Sequence, residues 1–117
     1  MEVTGITWGG TRTDRFDDMN RFLSEILGLE KSDEQRGFVS FKTSGEDKFE
    51  VFGPDDTEHA FMTTGPVIGF GVSDVDGARD ELEDAGIEFL APTRSEGDYR
   101  WAHFRGPDGN VYEITSS

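Results

Sequence analysis

Residues 104–114 read FRGPDGNVYEI and predict a β-hairpin. Pro107 presets φ for the second turn position, and Asp108 can hydrogen-bond its own backbone. Gly109 can take the left-handed conformation that closes a short loop. Two antiparallel strands are therefore expected to meet at this turn.

The strand after this turn carries a carboxylate. Side chains alternate between the two faces of a strand, so Val111, Glu113 and Thr115 share one face. Tyr112 and Ile114 occupy the other, more apolar face. The carboxylate of Glu113 therefore needs either water or a partner.

The same layout occurs earlier in the chain. A shift of 63 positions puts Glu50 on Glu113, and residues 44–47 fall on the turn residues 107–110. A repeat of about half the chain length indicates one structural module used twice.

Length and composition limit the class of protein. A chain of 117 residues has the size of one domain, and the absence of cysteine excludes disulfides and thiolate metal sites. The sequence begins without a basic segment followed by an apolar run and contains no apolar stretch of membrane-spanning length. A cytoplasmic protein is expected.

The net charge of −14 results from 25 acidic and 11 basic residues. Such a charge repels nucleic acids and anionic membranes, so neither is expected as a partner. The acidic surface fits two explanations, general solubility and adaptation to high salt, where screening removes the self-repulsion.

Hydrophobic periodicity predicts a strand, a helix and three strands in each half of the chain, with glycines ending the helices. The order βαβββ, twice, favours an α+β fold. Module one is predicted at about 1–53, a linker at about 54–64 and module two at about 65–117. Residues 92–97 are expected to form a loop, and Ser73 to cap the second helix.

Three sequence runs carry a resemblance to a known family: FLSEILGL at 22–29, FGVSDVD at 70–76 and GPDGNVYE at 106–113. With the paired βαβββ order, the chain resembles the vicinal oxygen chelate superfamily, which includes glyoxalase I, bleomycin resistance proteins and extradiol dioxygenases. The resemblance covers nearly the whole chain. It implies two modules whose curved mixed sheets form a cleft, with the helices outside, often in a homodimer.

The resemblance also implies where a metal would bind. Family metal sites take histidine or glutamine from the first strand of each module and glutamate from the last. Glu50 and Glu113 match the last-strand positions, whereas Trp8 and Val67 stand at the first-strand positions and cannot bind a metal. Two carboxylates without imidazole hold a divalent transition metal poorly. We therefore expect no cofactor, with a divalent metal as the alternative.

The first functional hypothesis is a metal-independent protein that binds a small molecule in the cleft, as bleomycin resistance proteins do. Glu50 and Glu113 would be the polar groups and would suit a cationic aromatic ligand. The apolar lining is predicted to consist of Trp8, Phe52, Phe61, Val67 and Trp101.

The second hypothesis is a lyase or isomerase resembling glyoxalase I. Glu50 or Glu113 would act as metal ligand or base, and His103 would be a useful acid or base beside Glu113. The structural alternatives are that both glutamates are solvated or pair with an arginine such as Arg12 or Arg105. Trp8 could equally be a core or dimer-interface residue, His103 could lie at the surface or line the cleft, and His59 is expected to be exposed.

Overall fold

The computed structural model describes all residues, 1–117. It contains nine strands and two α-helices, the first of which continues into a π-helical segment. Neither helix has the length and apolar character needed to cross a membrane. The elements are β1 (Val3–Arg12), α1 (Phe16–Arg21) with the π-helical segment Phe22–Ile26, β2 (Glu30–Gln35), β3 (Phe38–Lys42), β4 (Lys48–Phe52), β5 (Val67–Val72), α2 (Val75–Asp84), β6 (Glu88–Phe89), β7 (Arg94–Glu96), β8 (Tyr99–Arg105) and β9 (Val111–Ser116).

The predicted α+β class is confirmed. Positive φ angles of 74° at Gly28 and 89° at Gly86 mark the ends of the two helical regions, as the sequence predicts. The loop prediction for 92–97 is wrong, because Arg94–Glu96 pairs with β8 as an additional strand. Three residues are too few for alternation to be visible in the sequence.

The N-cap of α2 differs from the predicted one. Asp74, rather than Ser73, caps α2, and its carboxylate accepts a hydrogen bond from the amide of Gly77 at 3.1 Å. Helix α1 has Arg15 at its N-cap position and no side-chain cap. The Thr13 hydroxyl instead accepts from the amide of Arg15, one residue before the helix.

The chain divides into two compact units. The C-terminal unit comprises Met1–Trp8 and Val67–Ser117, and the N-terminal unit comprises Gly9–Pro66. The N-terminal residues of β1 therefore belong with the second half of the chain.

The C-terminal unit has the strand order β1-β5-β9-β8-β6, with β7 beside β8. Its sheet is mixed, since β5 and β9 are parallel and β8 and β9 are antiparallel. Helix α2 covers one face of this sheet and buries apolar side chains there. The buried core on that face consists of Val72, Val75, Ala78, Ala102, Phe104 and Ile114.

The N-terminal unit places β2, β3, β4 and the remainder of β1 in that order. Strands β2, β3 and β4 are antiparallel, and the exposed residues of edge strand β2 are all polar or charged, which discourages pairing with other chains. Leu23, from the helical region, packs on one face of this sheet against Val39, Phe41 and Val51. Each unit thus has one face covered by its own helix.

The turn between β3 and β4 contains a backbone strain that its counterpart avoids. Glu46 has φ 69°, and the 63-residue shift places it on Gly109, which has φ 85°. A residue with a side chain is destabilised by about 1–2 kcal/mol in this left-handed conformation. Glycine avoids this cost, but its greater conformational entropy in the unfolded chain offsets part of the gain in stability. We therefore expect Glu46→Gly to stabilise the protein by about 0.5–1 kcal/mol in urea unfolding.

The reciprocal control is Gly109→Ala, which is expected to destabilise the protein by about 1 kcal/mol. A Glu46→Gly variant that unfolds at lower urea concentration than the parent would contradict the strain at this turn.

Candidate functional site

The candidate site is built on the hairpin of β8 and β9. Its loop closes as predicted, because Gly109 has φ 85° and the amide of Gly106 donates to the Asn110 carbonyl at 2.8 Å. This closure sets the register in which His103 lies directly opposite Glu113. The second hypothesis considered His103 as an acid or base beside Glu113, and the register set by the turn places the two residues opposite each other.

His103 and Glu113 form a buried pair. The imidazole Nε2 lies 3.0 Å from the carboxylate Oε2, and the two residues are 5% and 2% exposed. Glu113 is therefore not a solvated strand residue, and Arg105 instead donates to the Gly109 carbonyl at 2.7 Å. An imidazole and a carboxylate at this distance can hold or pass a proton.

Trp8 lies against this pair. Its ring meets the His103 ring edge-on, with 6.1 Å between centroids and an interplanar angle of 72°. Gly69, which pairs in register with Glu113, makes room for the tryptophan, since a Cβ there would lie 2.9 Å from the Trp8 Cβ. Trp8, His103 and Glu113 are called the Trp8 cluster below.

The Trp8 cluster lies on the sheet face opposite α2. Residues Ala102 and Ile114, which neighbour His103 and Glu113 in the chain, pack on the helix side. Strand alternation puts the predicted ligand contacts Val67 and Trp101 on the same face as the cluster. Val67 is 1% exposed, and Trp101 is partly buried beside Tyr99.

The remaining predicted site residues belong to the N-terminal unit. Glu50 lies on β4 opposite Ser40, on the face not covered by the helical region, and is partly buried. Phe52 is buried, with its ring centroid 4.0 Å from that of His59, and the Phe61 ring is 6.2 Å from His59.

The expectation that His59 is exposed is wrong. Its side chain is only 16% exposed, and its Nδ1 lies 3.0 and 3.1 Å from the two carboxylate oxygens of Asp56. Stacking on Phe52 and pairing with Asp56 hold the imidazole in a partly buried position. The acidic composition of the segment instead favours exposure, because acidic residues are mostly exposed.

The metal centre implied by the family resemblance does not fit these residues. Trp8 and Val67 are buried and offer no ligand atom, and the Glu113 carboxylate already contacts His103. The structure has no group of three or more His, Cys, Asp or Glu side chains that could hold a metal. These residues therefore do not supply a complete ligand set for a metal.

The hairpin loop contains a second coupled pair, between Asp108 and Tyr112. The tyrosine hydroxyl donates to the carboxylate Oδ2 at 2.6 Å. This bond, followed by the one from the Asn110 amide, holds the pKa of Asp108 below its ordinary 3.8, and the same carboxylate raises the pKa of Tyr112 above 10.0. The pair therefore stabilises the fold above the unfolded-state pKa of aspartate, and its contribution is lost as pH falls through the folded one. At the alkaline end it is lost as pH rises through the raised pKa of Tyr112.

Tyrosinate absorbance measures this coupling directly. The chain has two tyrosines, and we expect Tyr112 to titrate above pH 10. Asp108→Asn should bring its pKa back towards the ordinary value, whereas Asp80→Asn, an exposed aspartate on α2, should leave it unchanged. An unchanged titration in Asp108→Asn would show that the hydrogen bond is not formed in solution.

A family model described as the glyoxalase/bleomycin resistance protein/dioxygenase superfamily matches residues 5–114. A search of curated protein sequences gave no match. Several solved structures resemble the chain. The Mn(II)-bound glyoxalase from Novosphingobium aromaticivorans superposes with a TM-score of 0.76 at 25% identity, covering 97% of this chain and 39% of that one.

Two further solved structures match almost end to end. A methylmalonyl-CoA epimerase variant from Streptomyces coelicolor, in complex with 2-nitronate-propionyl-CoA, has a TM-score of 0.71 at 20% identity and 99% coverage of both chains. A superfamily member from Vibrio splendidus has a TM-score of 0.70 at 14% identity, covering 99% of this chain and 100% of that one. At these identities, the two structures establish the fold.

Proposed function

The chain belongs to the glyoxalase/bleomycin resistance protein/dioxygenase superfamily, and from this premise we propose that it binds a small organic molecule at the Trp8 cluster without a complete metal site. The observation that carries the proposal is the buried Glu113–His103 pair on the sheet face that α2 leaves uncovered. A few polar groups set in an apolar surface are typical of small-molecule sites.

The energetics of buried charge support a binding role. Burying a carboxylate and an imidazole costs desolvation free energy, and well-packed apolar residues in their place are often as stable or more so. Apolar side chains in place of Glu113 and His103 would therefore give the fold similar stability. A ligand that hydrogen-bonds to them would account for their presence.

The surroundings favour a cationic aromatic ligand. The Trp8 indole can stack on an aromatic ring or contact a cation, and the Glu113 carboxylate can pair with a positive charge. The net charge of −14 attracts cations and repels anions. Val67 and Trp101, on the same face, would extend the apolar contact.

Binding requires a movement of side chains. Glu113 and His103 are 2% and 5% exposed, and Trp8 is 4% exposed, so no ligand can contact them in this conformation. Because Trp8 lies against His103, we expect its ring to shift when the pair becomes accessible. Trp8 fluorescence therefore reports directly on binding.

The experiment uses a Trp101→Phe background, in which Trp8 is the remaining tryptophan. Cationic aromatic compounds such as benzyltrimethylammonium are titrated against their neutral isosteres, with thermal unfolding as a second measurement. We expect a saturable change in Trp8 fluorescence. The affinity obtained from it should be at least about tenfold weaker in Glu113→Gln. Glu96→Gln removes an exposed carboxylate and serves as the charge-matched control. No saturable change, or equal affinity in Glu113→Gln, would overturn the proposal.

A second candidate function is proton transfer next to a carbonyl. The 3.0 Å approach of His103 to Glu113 favours it, because the carboxylate could take a proton from carbon while the imidazole stabilises the resulting charge. The C–H electron pair would move onto the carbonyl oxygen as an enolate, and return of the proton would complete an isomerisation. The epimerase from Streptomyces coelicolor has this fold, which makes acyl thioesters reasonable probes.

Deuterium incorporation from D₂O into methylmalonyl-CoA tests this candidate. Exchange at the carbon next to the carbonyl should be lost in Glu113→Gln and kept in Glu96→Gln. Titration with nickel, zinc and manganese tests the metal alternative, since tight binding that disappears in Glu113→Gln would restore a metal-dependent enzyme. Absence of both exchange and metal binding would leave the binding function.

Three expectations from the sequence stay predictions. They are the ligand contacts of Phe52 and Phe61, the role of Glu50 as a polar group, and the homodimer. Sedimentation velocity tests the last of these.

A further inference from the structure

A pocket of about 400 Å³ lies within the N-terminal unit, and no residue of the Trp8 cluster lines it. It is lined by the last residue of β1, by the residues that follow that strand and by the segment between β4 and β5, including Arg12, Thr13, Asp14, Met62 and Thr63. Its volume lies within the range of small-molecule sites.

Arg12 is held in place at this pocket. Its Nε and Nη2 atoms donate to the carbonyl of Asp56 at 3.2 and 3.0 Å, and its Nε lies 4.0 Å from the Asp56 carboxylate. These contacts leave Nη1 for a ligand, and the side chain is 27% exposed. A guanidinium that is already oriented loses little entropy on binding and favours a carboxylate or phosphate oxygen.

The residue that orients Arg12 is itself fixed. Both carboxylate oxygens of Asp56 contact the Nδ1 of His59, and one also accepts from the His59 amide at 3.1 Å. The His59 ring stacks on the buried Phe52. The Asp56 carbonyl is therefore a rigid support, and Arg12 keeps its position without a ligand.

The charges around the pocket disfavour phosphate and favour a carboxylate that also carries a positive charge. Asp14 also lines the pocket and is exposed, so a phosphate bound to Arg12 would be repelled by this carboxylate and by the acidic chain as a whole. A ligand that carries an ammonium beside its carboxylate would match both residues. We propose that this pocket binds a small zwitterionic carboxylate of the amino-acid type, with Arg12 holding the carboxylate and Asp14 the ammonium.

The test is a titration of the full ¹⁵N-labelled chain with β-alanine, followed through the amide signals of Thr13 and Thr63. Propionate and inorganic phosphate carry only negative charge and propylamine carries only positive charge, so these compounds test each charge separately. Arg12→Gln should weaken β-alanine binding at least about tenfold, as expected for a charge-assisted hydrogen bond. Arg36→Gln is the matched control, because that arginine is 90% exposed and pairs with Asp55 outside the pocket.

Because Arg12→Gln could disturb the segment around Asp56, Asp14→Asn provides an independent test. This exposed change should weaken β-alanine binding and leave propionate binding equal or stronger. Saturable shifts with this pattern support the zwitterion site. Phosphate or propionate binding as tightly as β-alanine, equal losses in Arg36→Gln, or no saturable shift would each overturn it.

Discussion

Glu113→Met is expected to destabilise the protein by about 3–5 kcal/mol, because it leaves the buried His103 imidazole without the carboxylate 3.0 Å away. The volume of the side chain is nearly conserved, so a cavity contributes little to this loss. The free energy of unfolding in urea measures the effect at neutral pH.

The double variant His103→Leu with Glu113→Met is the control that separates pairing from packing. It removes both polar groups at once, so it is expected to recover most of the lost stability or to exceed the parent. This variant should nevertheless show no ligand-induced change in Trp8 fluorescence. A single variant that costs no more than the double one would show that the two side chains are not coupled.

The second large effect is expected at Gly69. A Cβ at this position would lie 2.9 Å from the Trp8 Cβ and 3.4 Å from the Trp8 carbonyl oxygen. Neither atom can move by a change of rotamer, so Gly69→Ala should shift the backbone of β1 or β5 and cost about 1–3 kcal/mol. Urea unfolding gives the cost, and the Trp8 emission wavelength in the Trp101→Phe background should change in the folded protein.

Gly5→Ala is the matched control on β1. A Cβ there would meet nothing closer than 3.7 Å, and its φ is not positive, so the change should stay within about 0.5 kcal/mol. Equal unfolding midpoints for Gly69→Ala and Gly5→Ala would contradict the close approach of Trp8 to Gly69.

Much of the fold could be predicted because its signals are local. The Pro107-Asp108-Gly109 turn specifies a hairpin through backbone preferences, and Gly28 and Gly86 end the helices for the same reason. Errors occur where local signals compete or are weak. Both Ser73 and Asp74 can cap a helix, and in the structure it is the Asp74 carboxylate that accepts from the Gly77 amide.

The candidate site could be predicted only in part. Alternation placed Glu113 on the face opposite Tyr112 and Ile114, and the register of the hairpin brings it to His103. The burial of both side chains, and the partly buried position of His59 beside Asp56, depend on residues that surround them in space. Polar residues are mostly exposed, so composition favours the opposite expectation.

The sequence by itself determined the α+β class and the hairpin that holds Glu113, because hydrophobic periodicity and turn residues act over a few positions, and its motif runs identify the family. Only the tertiary structure decided that Trp8 lies against His103 and over Gly69, since β1 is joined to the C-terminal unit across about half the chain. It also decided that Arg12 meets Asp56, 44 residues later. Contacts between distant segments depend on which surfaces pack together, and no local pattern specifies that choice.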